Sequence, residues 1–284
     1  MVKLNNSDTA EGSKFFDTHC HLHEEVFEES LPQIIEKMKR QGVDKFMTIG
    51  TSVDDSERAL RLRDKYPEMC LVACALDPTM TQKYIGNIDK AEADFKKIAK
   101  LAEQNDISAI GETGLDKNWR ESTSSSEKFS KSTLEVQHLL FELHIDLASG
   151  LGLPLVIHQR EAIHAVIKTL KEKEFIGSKE EKAGIFHSFT GDRKDLDRIL
   201  ELGFYVGING IATFKNASKL QGAIQSLPID SLLFETDAPF LTPEPFRGIQ
   251  NDPSYIPIIA EFIEGLKNEQ LSKQVYKNSS ELLT

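Results

Sequence analysis

The sequence predicts a single α/β domain of the (β/α)₈, TIM-like barrel type, and three observations support this prediction. Eight short apolar runs alternate with longer segments whose apolar residues recur at helical spacing, which is the pattern of parallel strands joined by helices. The chain has 284 residues, and roughly 250 are typical of one such barrel. Histidine, glutamate or aspartate stands at the end of five of the runs. Only a closed barrel brings five such ends to one mouth, because the strands of an open sheet are spaced by about 4.8 Å; a doubly wound open sheet is the alternative.

The first half of the chain supplies four strand and helix units. Leu31, Ile34 and Met38 recur on one helical face, and Gly42 is a typical C-terminal stop for that helix. Pro67 ends the second helix, because proline cannot continue it. The predicted strands are residues 14–21, 45–50, 69–76 and 108–114, and the predicted helices are residues 31–41, 54–66, 89–104 and 134–150.

The second half repeats the alternation after a turn at Gly152 to Pro154. The predicted strands are residues 155–158, 184–187, 203–208 and 231–235, and the predicted helices are residues 160–171, 194–202, 216–225, 254–265 and 268–283. Residues 1–13 are polar and are expected to form a flexible N-terminal extension. The barrel is expected to occupy residues 14–284, since no internal repeat or change of composition marks a boundary.

The charge of the chain limits its partners. A net charge of -11 argues against a large basic surface that holds nucleic acid electrostatically. It does not exclude a phosphate substrate, because divalent ions would make a pocket locally positive.

The three cysteines indicate a reducing compartment. Cys20, Cys70 and Cys74 form no CxxC pair, so we expect buried thiols in a cytoplasmic protein, with the nucleus as a second compartment. The N-terminus lacks the apolar core of a signal peptide, and no stretch approaches the roughly 20 apolar residues of a membrane span. We therefore expect no membrane partner, and no obligate protein partner is evident.

Six residues at the ends of the apolar runs predict a metal site at the C-terminal face of the strands. Four are histidines and two are acidic: His19, His21, Glu112, His158, His187 and Asp237. The first two histidines alternate along a strand, so both imidazoles can bind one ion. Asp17 would share their face and orient one of them. Surface histidines, or a salt bridge made by the glutamate, are the alternative interpretations.

The same residues predict a hydrolytic mechanism. Glu112, flanked by glycines, is expected to bridge two ions together with a water, whose pKa would fall from about 15.7 to about 7. Asp237 is expected to bind metal and to accept a proton from the bridging water, which becomes hydroxide. Glu235 is expected to have a supporting structural role. The mixed ligand set suits Zn²⁺, Mn²⁺ or Co²⁺, whereas Mg²⁺ prefers oxygen ligands.

Several residues near the same mouth are candidate substrate contacts. They are Arg160, Ser188, Arg247 and Asn251. Arginine suits bidentate phosphate binding, and loop-stabilising hydrogen bonds are the alternative for each residue. Trp119 or Phe246 is a candidate for stacking a nucleobase, with packing as the alternative. Of the remaining histidines, His23 and His138 are expected to be solvated or capping, and His144 and His164 to pack or hydrogen-bond locally.

The motifs together resemble the TatD family of metal-dependent deoxyribonucleases in the amidohydrolase superfamily. The matching blocks run in family order over most of the chain: DTHCHL, GETGLD, LPLVIHQREA, HSFTG, GFYVGINGIATFKNA, LPIDSLLFETDAPFLTP and RGIQNDPSY. The resemblance implies a TIM-like barrel, divalent metal, and hydrolysis of DNA phosphodiesters, mainly as a 3′-to-5′ exonuclease on single strands. It places the family's ligands on the same six residues, and it adds Mg²⁺ as a working metal.

Two departures from the family pattern bear on substrate choice. Asp77 in CALDPTM stands where the family has the histidine of a Gly-x-His-Pro element, and a carboxylate there would repel phosphate. The Ser-rich segment 116–132 is longer than usual and is expected to be an exposed loop that reshapes access to the site.

Two other functions stay open at this point. One is a small-molecule amidohydrolase or lactonase, although such barrels often bridge their metals with a carboxylated lysine where Glu112 stands here. The other is a non-catalytic interaction protein that has kept the barrel.

Overall fold

A computed structural model describes residues 14–118 and 131–284 of the chain. Within these ranges the eight strands and the helices alternate as predicted. The strands are β1 (Phe15–Cys20), β2 (Val43–Gly50), β3 (Cys70–Cys74), β4 (Ala109–Asp116), β5 (Leu155–Arg160), β6 (Gly184–Phe186), β7 (Tyr205–Ile208) and β8 (Leu232–Phe234). The helices are α1 (Leu31–Arg40), α2 (Val53–Lys65), α3 (Ile88–Gln104), α4 (Lys131–Leu151), α5 (Ile163–Glu172), α6 (Arg193–Glu201), α7 (Ser218–Ser226), α8 (Ile256–Lys267) and α9 (Ser272–Leu283). The expected extension at 1–13 and most of the Ser-rich segment lie outside the described residues.

The strands form one parallel sheet in sequence order, which confirms the predicted barrel. The segment that follows β8 closes the sheet onto β1. The Thr18 hydroxyl donates to the Phe234 carbonyl over 3.0 Å, and the Asp237 amide donates to the His19 carbonyl over 2.8 Å. The His21 amide donates to the Ala238 carbonyl, also over 2.8 Å. The two ligand-bearing segments at the ends of the sheet are therefore joined directly.

Apolar side chains from the two faces of the strands form two cores. One lies between the strands and the surrounding helices. The other, here called the inner apolar cluster, fills the barrel and is covered by Leu283 of α9. Its strand residues are Phe16, Met47, Ile49, Ala73, Ala109, Val156, Ile185, Tyr205 and Leu233.

Two strands carry an extra residue where the site is built. Asp17 pairs with Phe46 and Cys20 with Thr48, so β1 has one residue more than β2 over this stretch. In β4, Gly111 and Thr113 face consecutive residues of β5, which leaves Glu112 between them without a partner. Such bulges change the side to which the following side chains point. The two bulges turn polar side chains into the C-terminal end of the barrel interior, whereas apolar side chains fill the rest of that interior.

Glycines in β4 allow the backbones to approach closely. A Cβ on Gly111 would lie 2.5 Å from the Cβ of Val156. Gly114 has a φ of 141°, and a Cβ there would lie 2.0 Å from the His158 carbonyl oxygen. Glycine is therefore required at residues 111 and 114, on the two sides of Glu112, because any side chain at either position would collide with β5. Among the residues described, no helix combines the length and the apolar character needed to cross a bilayer.

Candidate metal centre

The six predicted ligands meet at the C-terminal mouth of the barrel. β1 and its first following residue supply His19 and His21, and the residue after β6 is His187. His19 Nε2 lies 3.5 Å from Glu112 Oε2 and 3.6 Å from Asp237 Oδ1. His21 Nε2 lies 3.6 Å from the same Asp237 oxygen. Donor atoms from β1, from β4 and from the segment after β8 therefore lie close together at this mouth.

Glu112 lies between two pairs of histidines. Its Oε2 faces His19, whereas its Oε1 lies 2.7 Å from His187 Nε2 and contacts His158 Nδ1. Two groups of possible ligands share this glutamate: one contains His19 and His21, and the other contains His158 and His187. The donor atoms within each group lie within 4.8 Å of one another.

Unsatisfied buried nitrogens show that these residues fit a cation. Both ring nitrogens of His19 and Nδ1 of His187 are buried and have no hydrogen-bond partner among the described residues. A buried polar atom left unpaired costs roughly 1–3 kcal/mol. The two rings stack in parallel with centroids 4.0 Å apart. Imidazole and carboxylate donors are the set that Zn²⁺, Mn²⁺ and Co²⁺ accept. The ligand residues therefore suit a divalent transition metal.

The charges of the centre keep its carboxylates ionised. Burial raises the pKa of Glu112, but the positive charges of His187 and His158 outweigh it and hold that pKa well below its usual range. Burial acts likewise on Asp237, whose pKa is nevertheless lowered, chiefly by its hydrogen bond with His21. Burial and the charge of His187 lower the pKa of His19 to about 4. Ionised carboxylates and neutral imidazoles are the forms that bind metal. Despite burial, the same carboxylates raise the pKa values of His21, His158 and His187, so these three imidazoles would release protons when a cation binds.

Asp237 and Glu235 both lie near the centre, and their surroundings differ. A third group of possible ligands joins Glu235 to His19 and His187. However, Oε1 of Glu235 already accepts hydrogen bonds from the Ser188 amide and, over 3.3 Å, from Asn209 Nδ2. Burial raises the pKa of Glu235 to about 8, which favours its neutral form. Oε2 of Glu235 has no hydrogen-bond partner among the described residues, so its supporting role stays a prediction.

The predicted role of Asp17 needs correction. Its carboxylate accepts from the Thr236 amide over 2.9 Å, from the Thr236 hydroxyl, and from the His19 amide over 3.2 Å. No hydrogen bond to an imidazole is found for it among the described residues. The bulge in β1 explains the difference, because the prediction assumed unbroken alternation from residue 17 to residue 21. Asp17 joins β1 to the segment after β8 through hydrogen bonds, and it stabilises the backbone at His19 and Thr236.

The groups that orient the imidazoles were missed in the sequence. Asp116 Oδ2 lies 3.0 Å from His158 Nε2, so the other ring nitrogen faces Glu112. His21 Nδ1 lies 2.9 Å from the Ile49 carbonyl oxygen, to which it donates. Asp116 ends the GETGLD motif and stands two residues after Gly114, the strand neighbour of His158. That register is the signal by which Asp116 could have been found.

The four predicted substrate contacts fall into two classes. Arg160 and Arg247 are exposed at the mouth, and the Arg247 guanidinium lies 4.3 Å above the Phe214 ring. Ser188 is bound into the scaffold, because its hydroxyl accepts from Asn209 over 2.9 Å. Asn251 is fully buried, and its amide donates to two backbone carbonyls. We correct Asn251 from a substrate contact to a support of the loop after β8.

The structure also shows the surroundings of Phe246 and His23. Phe246 is half-buried against Tyr255, with ring centroids 5.4 Å apart, and Trp119 lies outside the described residues. The prediction that His23 is solvated or capping is wrong. Its side chain is 1% exposed, Nδ1 lies 2.7 Å from the Thr48 hydroxyl, and Nε2 lies 3.0 Å from Asp55 Oδ1.

Asp77 introduces a further acid beside the centre. It is buried after β3 and accepts hydrogen bonds from the amide and the hydroxyl of Thr79. Burial and the charge of Glu112 raise the pKa of Asp77 to about 6. At neutral pH this carboxyl therefore adds negative charge at the position where the family pattern has histidine.

Comparisons with known proteins agree with this site. The family model described as TatD related DNase matches residues 16–284. The uncharacterized metal-dependent hydrolase YabD of Bacillus subtilis is 34% identical over 94% of this chain and 98% of that protein. The crystal structure of YjjV, a TatD homologue from Escherichia coli, has a TM-score of 0.80 at 26% identity, covering 95% of this chain and 98% of that chain. A TatD family hydrolase from Entamoeba histolytica shares the fold, with a TM-score of 0.81 at 22% identity, covering 96% of this chain and 98% of that chain. With a match over nearly its whole length and the metal-ligand residues assembled, this chain belongs to the TatD family of metal-dependent hydrolases.

Proposed function

We propose that this protein is a metal-dependent deoxyribonuclease that digests DNA, chiefly single-stranded, from the 3′ end. The observation that carries the proposal is the position of Glu112, whose two oxygens face two separate histidine pairs. A carboxylate so placed suits a binuclear centre, and such centres catalyse in-line displacement at phosphorus.

The chain offers one set of ligands for each of two divalent ions. His19, His21 and Asp237 would hold the first ion and His158 and His187 the second, with Glu112 shared between them. When bound, the ions lower the pKa of water, polarise a phosphoryl oxygen and neutralise charge in the transition state.

We assign the proton transfer to Asp237. Its side chain is 16% exposed, compared with 6% for Glu112, so it is the more accessible of the two acidic ligands. As the water oxygen attacks phosphorus, Asp237 accepts its proton; as the P–O ester bond breaks, Asp237 can return that proton to the leaving oxygen. Asp116 and the Ile49 carbonyl hold two of the imidazoles in fixed orientations during these steps.

Exposed arginines at the mouth would supply the phosphate contacts. Arg160 and Arg247 present guanidinium groups that can bind a phosphate through two hydrogen bonds. Among the described residues we assign only these two arginines to the phosphate, and the chain has a net charge of -11. The proposal therefore assigns most of the attraction for the scissile phosphate to the ions.

Digestion of end-labelled DNA tests the proposal. Metal-free enzyme is loaded in turn with Mg²⁺, Mn²⁺, Co²⁺ or Zn²⁺ and is given single- or double-stranded substrate. We expect shortening from the 3′ end, faster on single strands, and a loss of at least about 100-fold in Asp237→Asn. A lactone and amide panel runs in parallel, because a phosphotriesterase-like lactonase from Deinococcus radiodurans shares this fold at 11% identity. Full metal loading without cleavage of either DNA would refute the deoxyribonuclease. Turnover of a lactone or an amide without cleavage of DNA would favour the small-molecule hydrolase. No turnover of any substrate would favour a non-catalytic protein.

A further inference from the structure

An exposed aromatic side chain lies in the loop that follows Asp237, one of the predicted metal ligands. Phe240 is 56% exposed, although burial of a phenylalanine side chain is favourable by roughly 1.5–3 kcal/mol. Among the exposed large apolar side chains in the described ranges it is the only aromatic one. It lies in the loop after β8, three residues beyond Asp237.

The backbone on both sides of this ring is held in place. The Phe240 amide donates to the Asp237 carbonyl over 2.9 Å, which closes a β-turn and keeps the two Cα atoms within about 7 Å. The buried Asn251 amide donates to the Phe240 carbonyl over 2.5 Å and to the Thr236 carbonyl over 2.9 Å. Asn251 therefore holds the turn from below while the ring faces solvent.

The turn also contains uncommon backbone conformations. Asp237 and Leu241, on either side of Phe240, have φ values of 57° and 58°. This left-handed region is unfavourable for residues other than glycine, and such residues concentrate at functional sites. A rigid turn presents an aromatic ring to a ligand at little further cost in conformational entropy.

We propose that Phe240 forms a stacking platform for a nucleobase of the DNA substrate, on a nucleotide that adjoins the scissile phosphate. This inference rests on the proposed deoxyribonuclease activity. Aromatic side chains stack on bases of any sequence, because every base has a π face. The net charge of -11 argues against a large basic groove of the kind that supplies affinity in most proteins that bind DNA. A stacked base next to the reacting phosphate supplies affinity that does not depend on such a groove.

Kinetics on matched oligonucleotides test the platform. One single-stranded oligonucleotide carries all its bases, and the other is abasic at both nucleotides that flank the first scissile phosphate. For Phe240→Ala we expect KM on the first to rise about tenfold, with kcat within about twofold of wild type. KM on the abasic oligonucleotide should be the same for both enzymes. Phe240→Trp should restore the wild-type KM, because the indole ring also stacks.

Ile249→Ala provides the matched control. Ile249 is 54% exposed in the same loop, so its truncation removes a similar exposed apolar group without removing a ring. We expect wild-type KM and kcat on both oligonucleotides. An unchanged KM for Phe240→Ala, or an equal rise on both substrates, would overturn the platform while leaving the deoxyribonuclease intact. Failure of metal-loaded wild type to cleave either oligonucleotide would instead overturn the proposed function, and the platform with it.

Discussion

The lower half of the barrel interior is filled by apolar side chains, whereas the upper half is filled by histidines and carboxylates. Val156 and Ile185 belong to the inner apolar cluster. His158 and His187, which each stand two residues further along the same chain segments, belong to the candidate metal centre. All four are largely shielded from water, but only the apolar pair is stabilised by burial alone. In the part of the chain that the structure describes, the upper half contains buried nitrogens without hydrogen-bond partners, so a bound cation would stabilise it and would also make it reactive.

If the upper half serves activity and the lower half serves stability, a substitution in the upper half should remove activity and leave the fold intact. We expect Glu112→Ala to lower the rate of phosphodiester hydrolysis by at least about 1,000-fold, which corresponds to roughly 4 kcal/mol of transition-state stabilisation. The reason is that both histidine pairs lose their shared carboxylate. The rate is measured in single turnover with metal in excess. Glu57→Ala, on an exposed helix position, serves as the control, and turnover at the wild-type rate by Glu112→Ala would exclude the shared-ligand role.

A change in the lower half should do the reverse. Ile185→Ala removes three carbons from a fully packed position, and such truncations destabilise proteins by about 2–5 kcal/mol. We expect a loss of this size in urea unfolding, with kcat of the folded enzyme unchanged. Ile185→Val should cost only about 0.5–1.5 kcal/mol. A fall in kcat that exceeds the loss of folded protein would show that the two halves are coupled.

A buried histidine that is not one of the predicted ligands should respond to pH through stability. His144 Nδ1 lies 2.6 Å from the Leu140 carbonyl oxygen, and Nε2 accepts from the Leu76 amide over 3.1 Å. Burial lowers the pKa of His144 to about 4, from an unfolded value of 6.5. Its contribution to stability is therefore present above pH 6.5 and is lost as the pH falls towards 4.

The corresponding variant separates this effect from other titrations. Over that range wild type should lose roughly 3 kcal/mol more than His144→Gln, because glutamine does not titrate. Urea unfolding of both metal-free proteins at pH 7.5, 5.5 and 4.5 measures the difference, and titration of the metal-ligand residues cancels. Parallel pH profiles for the two proteins would contradict the assignment.

The smallest effect is expected at Asp77, where the upper half departs from the family pattern. Removing its charge in Asp77→Asn should lower KM for DNA by about two- to fivefold at pH 7.5, because one source of repulsion for phosphate is lost. Asparagine can still accept from Thr79. Since the pKa of Asp77 is about 6, wild type and variant should converge below pH 5.5. A KM difference between wild type and Asp77→Asn that does not change with pH would contradict a charge effect and would point to a change in the geometry of the site.

Much of this architecture was predictable, because it depends on local patterns. The eight strands were located from short apolar runs, and their ends share a face in any parallel barrel. That is why His158 and His187 could be named as ligands although they are 29 residues apart. Glu112 was predicted as the shared ligand from its glycine neighbours, and the structure places it between the two histidine pairs.

Side-chain direction and pairing were decided by tertiary structure. The sequence by itself determined which residue types reach the mouth of the barrel, because strand length and apolar pattern are local properties. Whether Asp17 faces an imidazole depends on a bulge, and a bulge exists only relative to the register of the neighbouring strand. The partnership of His23 with Asp55, and that of Asn251 with the turn at Phe240, join residues whose separation in sequence carries no signal. Such contacts form only when the barrel closes, so their donors and acceptors cannot be matched from the chain alone.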